Sequence, residues 1–256
     1  MPGLRCISNV DDMTTDAARK RRLAIFGGGL LVAIVAVAIV IAVSSGGSDT
    51  TTASTAAPAK TSSLKGVSAI KAEFAGIPQT SNVLGNPKAR ATMMVFADMQ
   101  CPFCAEFENN AFPSIVEKYV KPGKLKVVFQ PIVILGNDSI LGARAAAAAG
   151  QQNKLFEFTA TLYRNQGQEN TGYLNQAYVK KIASGVAGLD AAKLTVDLKS
   201  AAVNKVLNDA QATATSGKVE STPSFFVAKT GASLQQVPVT SLEASAFYKV
   251  LDAVTA

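Results

Sequence analysis

The 256 residues allow one or two domains, and a composition of 48% hydrophobic and 17% charged residues suits a globular core together with a membrane segment. The formal net charge of +7 is spread along the chain, since residues 67–256 hold 18 basic and 14 acidic side chains without a basic cluster interleaved with aromatics. This charge pattern argues against a protein that binds nucleic acid.

The apolar stretch from Leu23 to Val43 contains 21 uncharged residues. At about 1.5 Å per residue, a helix of that length crosses a hydrocarbon core of ~30 Å. Residues 19–22 are all basic and the next basic residue is Lys60, so we predict a single-pass transmembrane helix with a cytoplasmic segment 1–22. A signal peptide cleaved near Ser44 is the alternative, but its apolar core would usually be only ~7–15 residues long.

Residues 44–66 are rich in Ser, Thr, Ala and Gly and contain few large apolar side chains. Such a segment buries too little apolar surface to offset the entropy of ordering it. We predict a flexible linker with a reach of roughly 25–30 Å. Because segment 1–22 is predicted to be cytoplasmic, the globular domain, residues 67–256, is expected on the other side of the membrane, outside the cytoplasm.

A strand leads directly into a helix in the first half of this domain. Residues 67–75 have the apolar spacing of a short helix, and residues 91–97 form an apolar run typical of a buried strand. The apolar residues that follow recur at helical spacing: Phe103, Phe107, Phe112, Ile115, Val116 and Tyr119. The segment Cys101-Pro102-Phe103-Cys104 lies at this junction.

The junction places Cys101 at a helix N-terminus, where unpaired backbone N–H groups and the helix dipole favour a thiolate. Pro102 suits the first helical position because its missing N–H would have no partner there. Cys104 lies one turn deeper and can form a disulfide with Cys101. We predict an exposed, low-pKa Cys101 and a more buried, less acidic Cys104, whereas Asp98 is expected to point to solvent without a role in proton transfer.

Two other uses of this cysteine pair fit the sequence less well. A structural zinc site normally needs four Cys or His ligands, but the chain has three Cys and no His. A structural disulfide across two residues closes a small loop and removes little entropy from the unfolded chain. We therefore predict a redox pair, with no bound metal and no cofactor.

The next strand and a helical region follow. Residues 125–133 are predicted to form a strand, in which Pro131 indicates an edge or a bend, and the strand–helix–strand order implies a right-handed crossover and a parallel pair. Residues from about 138 to 217 favour helix throughout and are predicted to form an all-helical insert. Within it lie an Ala-rich, tightly packed helix at 143–149 and further helices at 174–186 and 190–216.

The C-terminal region completes the pattern. Residues 225–228, a turn at 229–231 and an extended run to Val239 predict a β-hairpin. Thr240 and Glu243 are predicted to form a capping box before a last helix. The order βαβ, helical insert, ββα is that of a thioredoxin fold with an inserted helical subdomain, preceded by one transmembrane helix and a linker.

Four segments carry a resemblance to a known family. The active-site segment FADMQCPFC (residues 96–104) has GIPQ (76–79) and LGNP (84–87) upstream and STPSFFV (221–227) downstream. In this order and spacing they resemble the DsbA-like thiol:disulfide oxidoreductases, and in particular their membrane-anchored bacterial branch. The resemblance covers residues 67–256.

The resemblance also assigns expectations to single residues. It implies a cis peptide between Thr222 and Pro223 close to the cysteines, a Thr222 backbone that pairs with a substrate strand, and a Pro223 ring that shields the sulfurs from metal. Phe103 stands where the strongest oxidants of the family carry His, which implies a less extreme thiolate. Val95 stands where thioredoxin-fold enzymes often carry a buried carboxylate.

The sequence therefore predicts a membrane-tethered, extracytoplasmic enzyme that oxidises cysteine pairs in exported proteins. By resemblance, a membrane quinone-linked thiol oxidase would restore its disulfide. Two alternatives stay open: a reductase or isomerase of the same fold, and a non-catalytic, membrane-anchored module that binds proteins.

Overall fold

A six-stranded mixed sheet with the order β1-β2-β4-β3-β5-β6 forms the centre of the computed structural model, which describes residues 63–256. The strands are β1 (Gln79–Thr80), β2 (Val83–Leu84), β3 (Ala91–Ala97), β4 (Leu125–Pro131), β5 (Ser224–Lys229) and β6 (Gln235–Gln236). The predicted transmembrane helix and nearly all of the predicted linker lie outside the described residues. Within those residues, no helix is both long and apolar enough to span a bilayer.

Eight α-helices surround the sheet within the described part of the chain. They are α1 (Val67–Glu73), α2 (Pro102–Ile115), α3 (Asn137–Gly150), α4 (Leu155–Arg164), α5 (Gln176–Ser184), α6 (Ala191–Asp197), α7 (Ala201–Ser216) and α8 (Ala244–Thr255). A π-helical turn, Val116–Val120, extends α2. Helices α3 to α7 form the predicted insert between β4 and β5, so the thioredoxin-like fold with a helical insertion is confirmed.

Strand β3 is the central element and leads into the cysteine pair. It runs parallel to β4, with Val95 opposite Phe129, and antiparallel to β5, with Met93 opposite Val227. Val95 belongs to the main core on one face, whereas Phe96 packs on the other face with residues of α7 and β5. Helices therefore cover both faces of the sheet, and the apolar run of β3 reflects burial on both sides.

Helix α2 is fixed to the sheet through Phe107. Its ring centroid lies 4.7 Å from that of Phe225 on β5 and 5.4 Å from that of Phe247 on α8. Burial of a Phe side chain contributes about 1.5–3 kcal/mol, and each aromatic pair adds about 0.5–1.5 kcal/mol. These contacts hold the N-terminus of α2, and with it the cysteines, against the end of the sheet.

The predicted Ala-rich scaffold is confirmed, because every alanine from Ala143 to Ala149 is buried. The predicted strand is confirmed, but it ends at Pro131 rather than at residue 133 and is not an edge strand. Strand β4 lies between β2 and β3, and Pro131 is its last residue, where Ile132 N–H continues the ladder to Ala97 O at 3.0 Å.

Two predicted helix boundaries are wrong. The predicted helix 190–216 is two helices, because Ser200 caps α7 by accepting from Val203 N–H and interrupts the run. The capping box of Thr240 and Glu243 does not form. Helix α8 begins after Glu243 without a side-chain cap, and the nearby hydroxyl that accepts from Glu243 N–H belongs to Ser241.

Candidate active site

Cys101 is the N-cap of α2, as the sequence predicts, with Pro102 in the first helical position. Its backbone is extended, and its Sγ accepts a hydrogen bond from Cys104 N–H at 3.4 Å. The Cys101 thiol also donates to the Thr222 carbonyl at 3.3 Å. The sulfur is therefore held between the first turn of α2 and the segment before β5.

The two thiols differ in acidity in the predicted direction. A hydrogen bond from the Cys104 thiol lowers the pKa of Cys101 from 9.0 to about 6, with burial opposing this effect and Thr222 and backbone N–H groups adding to it. Burial raises the pKa of Cys104 well above its ordinary value. At neutral pH the pair therefore combines a Cys101 thiolate with a protonated Cys104.

The predicted exposure of Cys101 is wrong, whereas the predicted burial of Cys104 is confirmed. Cys101 is only 3% exposed and Cys104 2% exposed, because Thr222 and the first turn of α2 close over the Cys101 sulfur. Phe103, between the two cysteines, is instead 60% exposed. The acidity of Cys101 therefore arises from hydrogen bonds to its sulfur, whereas the low acidity of Cys104 arises first from burial.

Thr222 and Pro223 lie beside the cysteines and are joined by a cis peptide bond, as the resemblance implies. A groove of about 300 Å³ opens next to them. It is lined mainly by Phe103, Thr222, Pro223, Val237, Pro238 and Leu242. The groove is large enough for a side chain of an extended peptide and ends beside the active-site helix.

Asp98 does not point to solvent, which corrects the prediction made for it. The residue is fully buried, and its carboxylate accepts hydrogen bonds from the loop between β4 and α3. A charged residue at the end of a strand usually reaches water, but here the β4–α3 loop passes directly over it.

Residues of the insert also bond to the active-site loop, and the sequence analysis did not identify them. Tyr163 donates its hydroxyl hydrogen to Asp98 O at 3.0 Å. Gln166 Nε2 donates to Met99 O at 3.1 Å and to Cys101 O at 3.3 Å. Both residues are more than 60 positions from their partners, so no local pattern indicates these contacts.

A buried carboxyl group does occur near the cysteines, but it belongs to Glu108 and not to the position of Val95, where related enzymes often carry one. Glu108 is buried on α2, and among the described residues its Oε1 has no hydrogen-bond partner. Burial, followed by the nearby charge of Glu73, raises the pKa of Glu108 well above its ordinary range. Burial likewise raises the pKa of Glu73 to about 7. The spacing of four residues from Cys104 is the sequence signal that places Glu108 on the same helix face.

The fold and this geometry agree with the similarities to known proteins. A family model described as thioredoxin matches residues 78–238, which is more than half of the chain. The chain belongs to the thioredoxin family. A thioredoxin-like oxidoreductase from Silicibacter pomeroyi shares 30% identity with a TM-score of 0.55, and the match covers 69% of this chain and 91% of that structure.

The chain is also similar to two proteins of disulfide bond formation type from Bacillus. The probable disulfide bond formation protein D of Bacillus cereus is 26% identical over 151 residues, which is 58% of this chain and 70% of that protein. The structure of oxidised BdbD from Bacillus subtilis has a TM-score of 0.60 at 17% identity and covers 70% of this chain and 97% of its own. The predicted DsbA-like kinship and enzyme class, protein disulfide oxidoreductase, are thus confirmed, whereas the roles of individual residues stay predictions.

Proposed function

We propose that this oxidoreductase forms disulfide bonds in exported proteins through Cys101 and Cys104, on the extracytoplasmic side of the membrane. The observation that carries the proposal is the Cys101 sulfur at the helix N-cap, whose pKa is lowered to about 6 by its hydrogen bonds. A stabilised thiolate favours the reduced enzyme, and a disulfide whose reduced form is stabilised is a good oxidant.

The proposed reaction begins with the Cys101–Cys104 disulfide. A substrate thiolate attacks Cys101 Sγ, forms a mixed disulfide with it and releases the Cys104 sulfur, which takes up a proton. A second substrate thiolate then attacks the substrate sulfur of the mixed disulfide and releases the Cys101 thiolate. The substrate loses two electrons and two protons. The enzyme gains the two electrons and ends with a Cys104 thiol and a Cys101 thiolate, and the second proton passes to solvent.

We assign substrate binding to Thr222 and Pro223. The groove between Phe103 and the Val237–Leu242 region lies beside them, so an extended substrate segment there would bring its thiolate near Cys101. The Thr222 backbone is proposed to pair with that segment, and Pro223 to cover the sulfurs. The active-site dipeptide Pro102–Phe103 would contribute the apolar Phe103 side chain, which is 60% exposed, as a contact surface.

Oxidation of many substrates requires that the dithiol be returned to the disulfide. We assign this step to a membrane quinone-linked thiol oxidase, because the apolar stretch 23–43 would tether the domain to the bilayer where such an oxidase works. Such a tether would also keep the domain on the side of the membrane where exported proteins emerge.

The choice between oxidase, reductase and binding module is tested with two assays on the full chain. An oxidase is expected to restore activity to reduced ribonuclease in glutathione buffer, and Cys101→Ala should abolish this effect. Strong acceleration of insulin reduction by dithiothreitol, with little refolding activity, would favour the reductase or isomerase. A chain inactive in both assays would be a non-catalytic binding module.

The membrane tether makes a separate prediction. Fractionation of cells should recover the full-length chain with the membranes, because residues 23–43 are long enough to span and residues 19–22 are basic. A shortened, soluble extracytoplasmic form that begins near Ser44 would instead show that the segment is a cleaved signal peptide.

Phe103→His is expected to lower the pKa of Cys101 below about 6 and to raise the reduction potential. The reason is that an imidazolium beside the N-cap stabilises the thiolate, which Phe103 cannot do. The wild-type chain should accordingly be a weaker oxidant than a relative with Pro-His between its cysteines. Thiolate titration measures the pKa of Cys101, and equilibrium with glutathione measures the reduction potential. Phe103→Leu is the control, because it removes the aromatic ring without adding a charge. An unchanged titration would show that the side chain at position 103 does not affect the acidity of Cys101.

A further inference from the structure

The loop that carries Cys101 is bonded to the helical insert through the side chain of Asp98. Within residues 63–256, four donors surround the buried carboxylate. Oδ1 accepts from Gln100 N–H at 2.9 Å and from the Ser139 hydroxyl at 2.6 Å. Oδ2 accepts from Ile134 N–H at 2.7 Å and from Leu135 N–H at 2.9 Å. A carboxylate accepts at both oxygens and donates at neither, so it matches this set of partners.

Gln100 makes a second set of bonds to the same region. Its Nε2 donates to the Ser139 hydroxyl at 2.9 Å and to Leu135 O at 3.2 Å. Its Oε1 accepts from Asn170 N–H at 2.8 Å. Ser139 lies in the first turn of α3, so the hydroxyl of one insert residue joins both Asp98 and Gln100. The active-site loop is therefore attached to the insert by the side chains of both Asp98 and Gln100.

The same loop fixes the reactive sulfur. The backbone of Asp98 accepts from Cys101 N–H at 3.1 Å, so the residue that bonds to the insert also holds the N-cap of α2. The Cys101 sulfur has two close partners, Cys104 N–H at 3.4 Å and Thr222 O at 3.3 Å. A shift of the loop by a fraction of an ångström would weaken the bond from Cys104 N–H, which stabilises the thiolate, because hydrogen bonds weaken steeply with distance and angle. The Thr222 carbonyl, in contrast, can accept only from the protonated thiol.

We propose that Asp98 is a positioning residue, whose carboxylate clamps the active-site loop to the β4–α3 loop and to the first turn of α3 and thereby sets the place of the Cys101 sulfur. The inference rests on the proposed role of Cys101 as the attacked sulfur. This proposal gives the helical insert an influence on the acidity of the cysteine pair, in addition to its packing against the sheet.

Asp98→Asn tests the clamp, because an amide cannot accept from all four donors. The amide oxygen can still serve Ile134 and Leu135, and the Ser139 hydroxyl can turn to accept from the new NH₂ group. Gln100 N–H then faces a donor and loses its partner. The hydrogen bond that is lost is therefore the one made by the residue directly before Cys101.

The direction of the change in Cys101 acidity separates positioning from simple electrostatics. Removal of a negative charge near the sulfur would by itself lower the pKa of Cys101. Displacement of the sulfur from the groups that donate to its thiolate, which are first the Cys104 thiol and then the backbone N–H groups of the first helical turn, would raise the pKa instead. We expect a rise of about one unit, so that alkylation of the reduced protein at about pH 5 slows roughly tenfold.

The experiment uses the full chain in mild detergent, and thiolate absorbance and alkylation rate are measured against pH. Asp138→Asn is the matched control. It removes the same charge from the residue directly before Ser139, and the Asp138 carboxylate accepts from Gly172 N–H at 2.9 Å rather than from the active-site loop. The control should leave the Cys101 titration unchanged. Ser139→Ala keeps the charge of Asp98 and removes one clamp bond, so it should raise the pKa in the same direction by less, and it serves where Asp98→Asn fails to fold.

A lowered or unchanged pKa in folded Asp98→Asn, or an unchanged pKa in Ser139→Ala, would overturn the positioning role. The thiolate titration does not depend on the direction of electron flow in the cell. A wild-type chain without activity toward reduced ribonuclease or insulin would therefore refute the proposed function, while the titration would still decide the role of Asp98.

Discussion

Cys104→Ala is expected to trap covalent complexes with exported proteins, visible by non-reducing electrophoresis of cell extracts, whereas Cys101→Ala should trap none. Thiol exchange passes through a mixed disulfide whose lifetime depends on a second thiol to resolve it. Cys101 carries the low-pKa sulfur at the helix N-cap, and Cys104 is the buried partner with a raised pKa. Without Cys104, the enzyme-side route of resolution is lost.

The double variant Cys101→Ala/Cys104→Ala is the matched control and should give the pattern of Cys101→Ala. Reducing agent added before electrophoresis should release every trapped complex. If Cys101→Ala accumulated complexes and Cys104→Ala did not, the roles of the sulfurs would be reversed. The helix-terminus argument for Cys101 would then fail.

Thr222→Val or Pro223→Thr, added to Cys104→Ala, should change how long the trapped complexes persist. Thr222 O lies 3.3 Å from the Cys101 sulfur, and both residues line the groove where a substrate segment is proposed to lie. Quantification of complexes after a chase with excess oxidant measures the lifetime. Identical lifetimes in all variants would remove both residues from the proposed substrate site.

The position of the cysteine pair could be predicted from sequence because the signals are local. A buried apolar strand, a proline suited to the first helical turn and apolar residues at helical spacing all lie within about 30 residues. They place Cys101 at the N-cap of α2, which the structure confirms. The acidities of the two thiols follow from the same few atoms, and their predicted order agrees with the structure.

Asp98 could not be assigned in the same way. Three of its four donors, the two N–H groups of the β4–α3 loop and the Ser139 hydroxyl, are 36 to 41 residues away along the chain. A strand followed by a loop gives no sign that a second loop will return over it. Tyr163 and Gln166 could not be predicted for the same reason, because their contacts depend on how the helical insert packs against the active-site loop.

The prediction that Cys101 is exposed fails for a related reason. Its position at a helix terminus suggests access to solvent, but the Thr222–Pro223 segment is brought beside it by the pairing of β5 with β3. The family resemblance implied that closeness, whereas periodicity alone could not. At the C-terminus, Thr240 and Ser241 are adjacent hydroxyl residues, and the sequence offers no physical basis for choosing the one that bonds to Glu243.

The reduced enzyme is expected to gain stability as the pH rises from about 6 to 9, whereas the oxidised enzyme should lack this gain. Between these values the Cys101 thiol, with a pKa of about 6 in the folded chain and 9.0 ordinarily, is deprotonated when folded and protonated when unfolded. Stability rises with pH wherever the unfolded state binds more protons. The contribution is therefore fully present above pH 9 and is lost as the pH falls through about 6.

Cys104 limits this gain at the alkaline end. Burial raises the pKa of Cys104 well above its ordinary value, so above pH 9 the unfolded chain releases a proton that the folded chain retains. This second thiol destabilises the reduced enzyme as the pH rises further. The difference in stability between reduced and oxidised enzyme should accordingly be largest near pH 9.

The size of the effect follows from the Cys101 shift of about three pKa units, which corresponds to at most about 4 kcal/mol and, after allowance for solvent screening, to about 2–3 kcal/mol. Calorimetry of the reduced and oxidised full chain at several pH values should show the difference in Tm growing by roughly 4–10 °C between pH 6 and 9. Cys101→Ser, measured under reducing conditions, should remove this growth. A reduced wild-type chain whose Tm follows that of the oxidised chain across this range would show that its thiolate is not stabilised by folding. The disulfide would then lack the driving force for oxidising substrates that is proposed here.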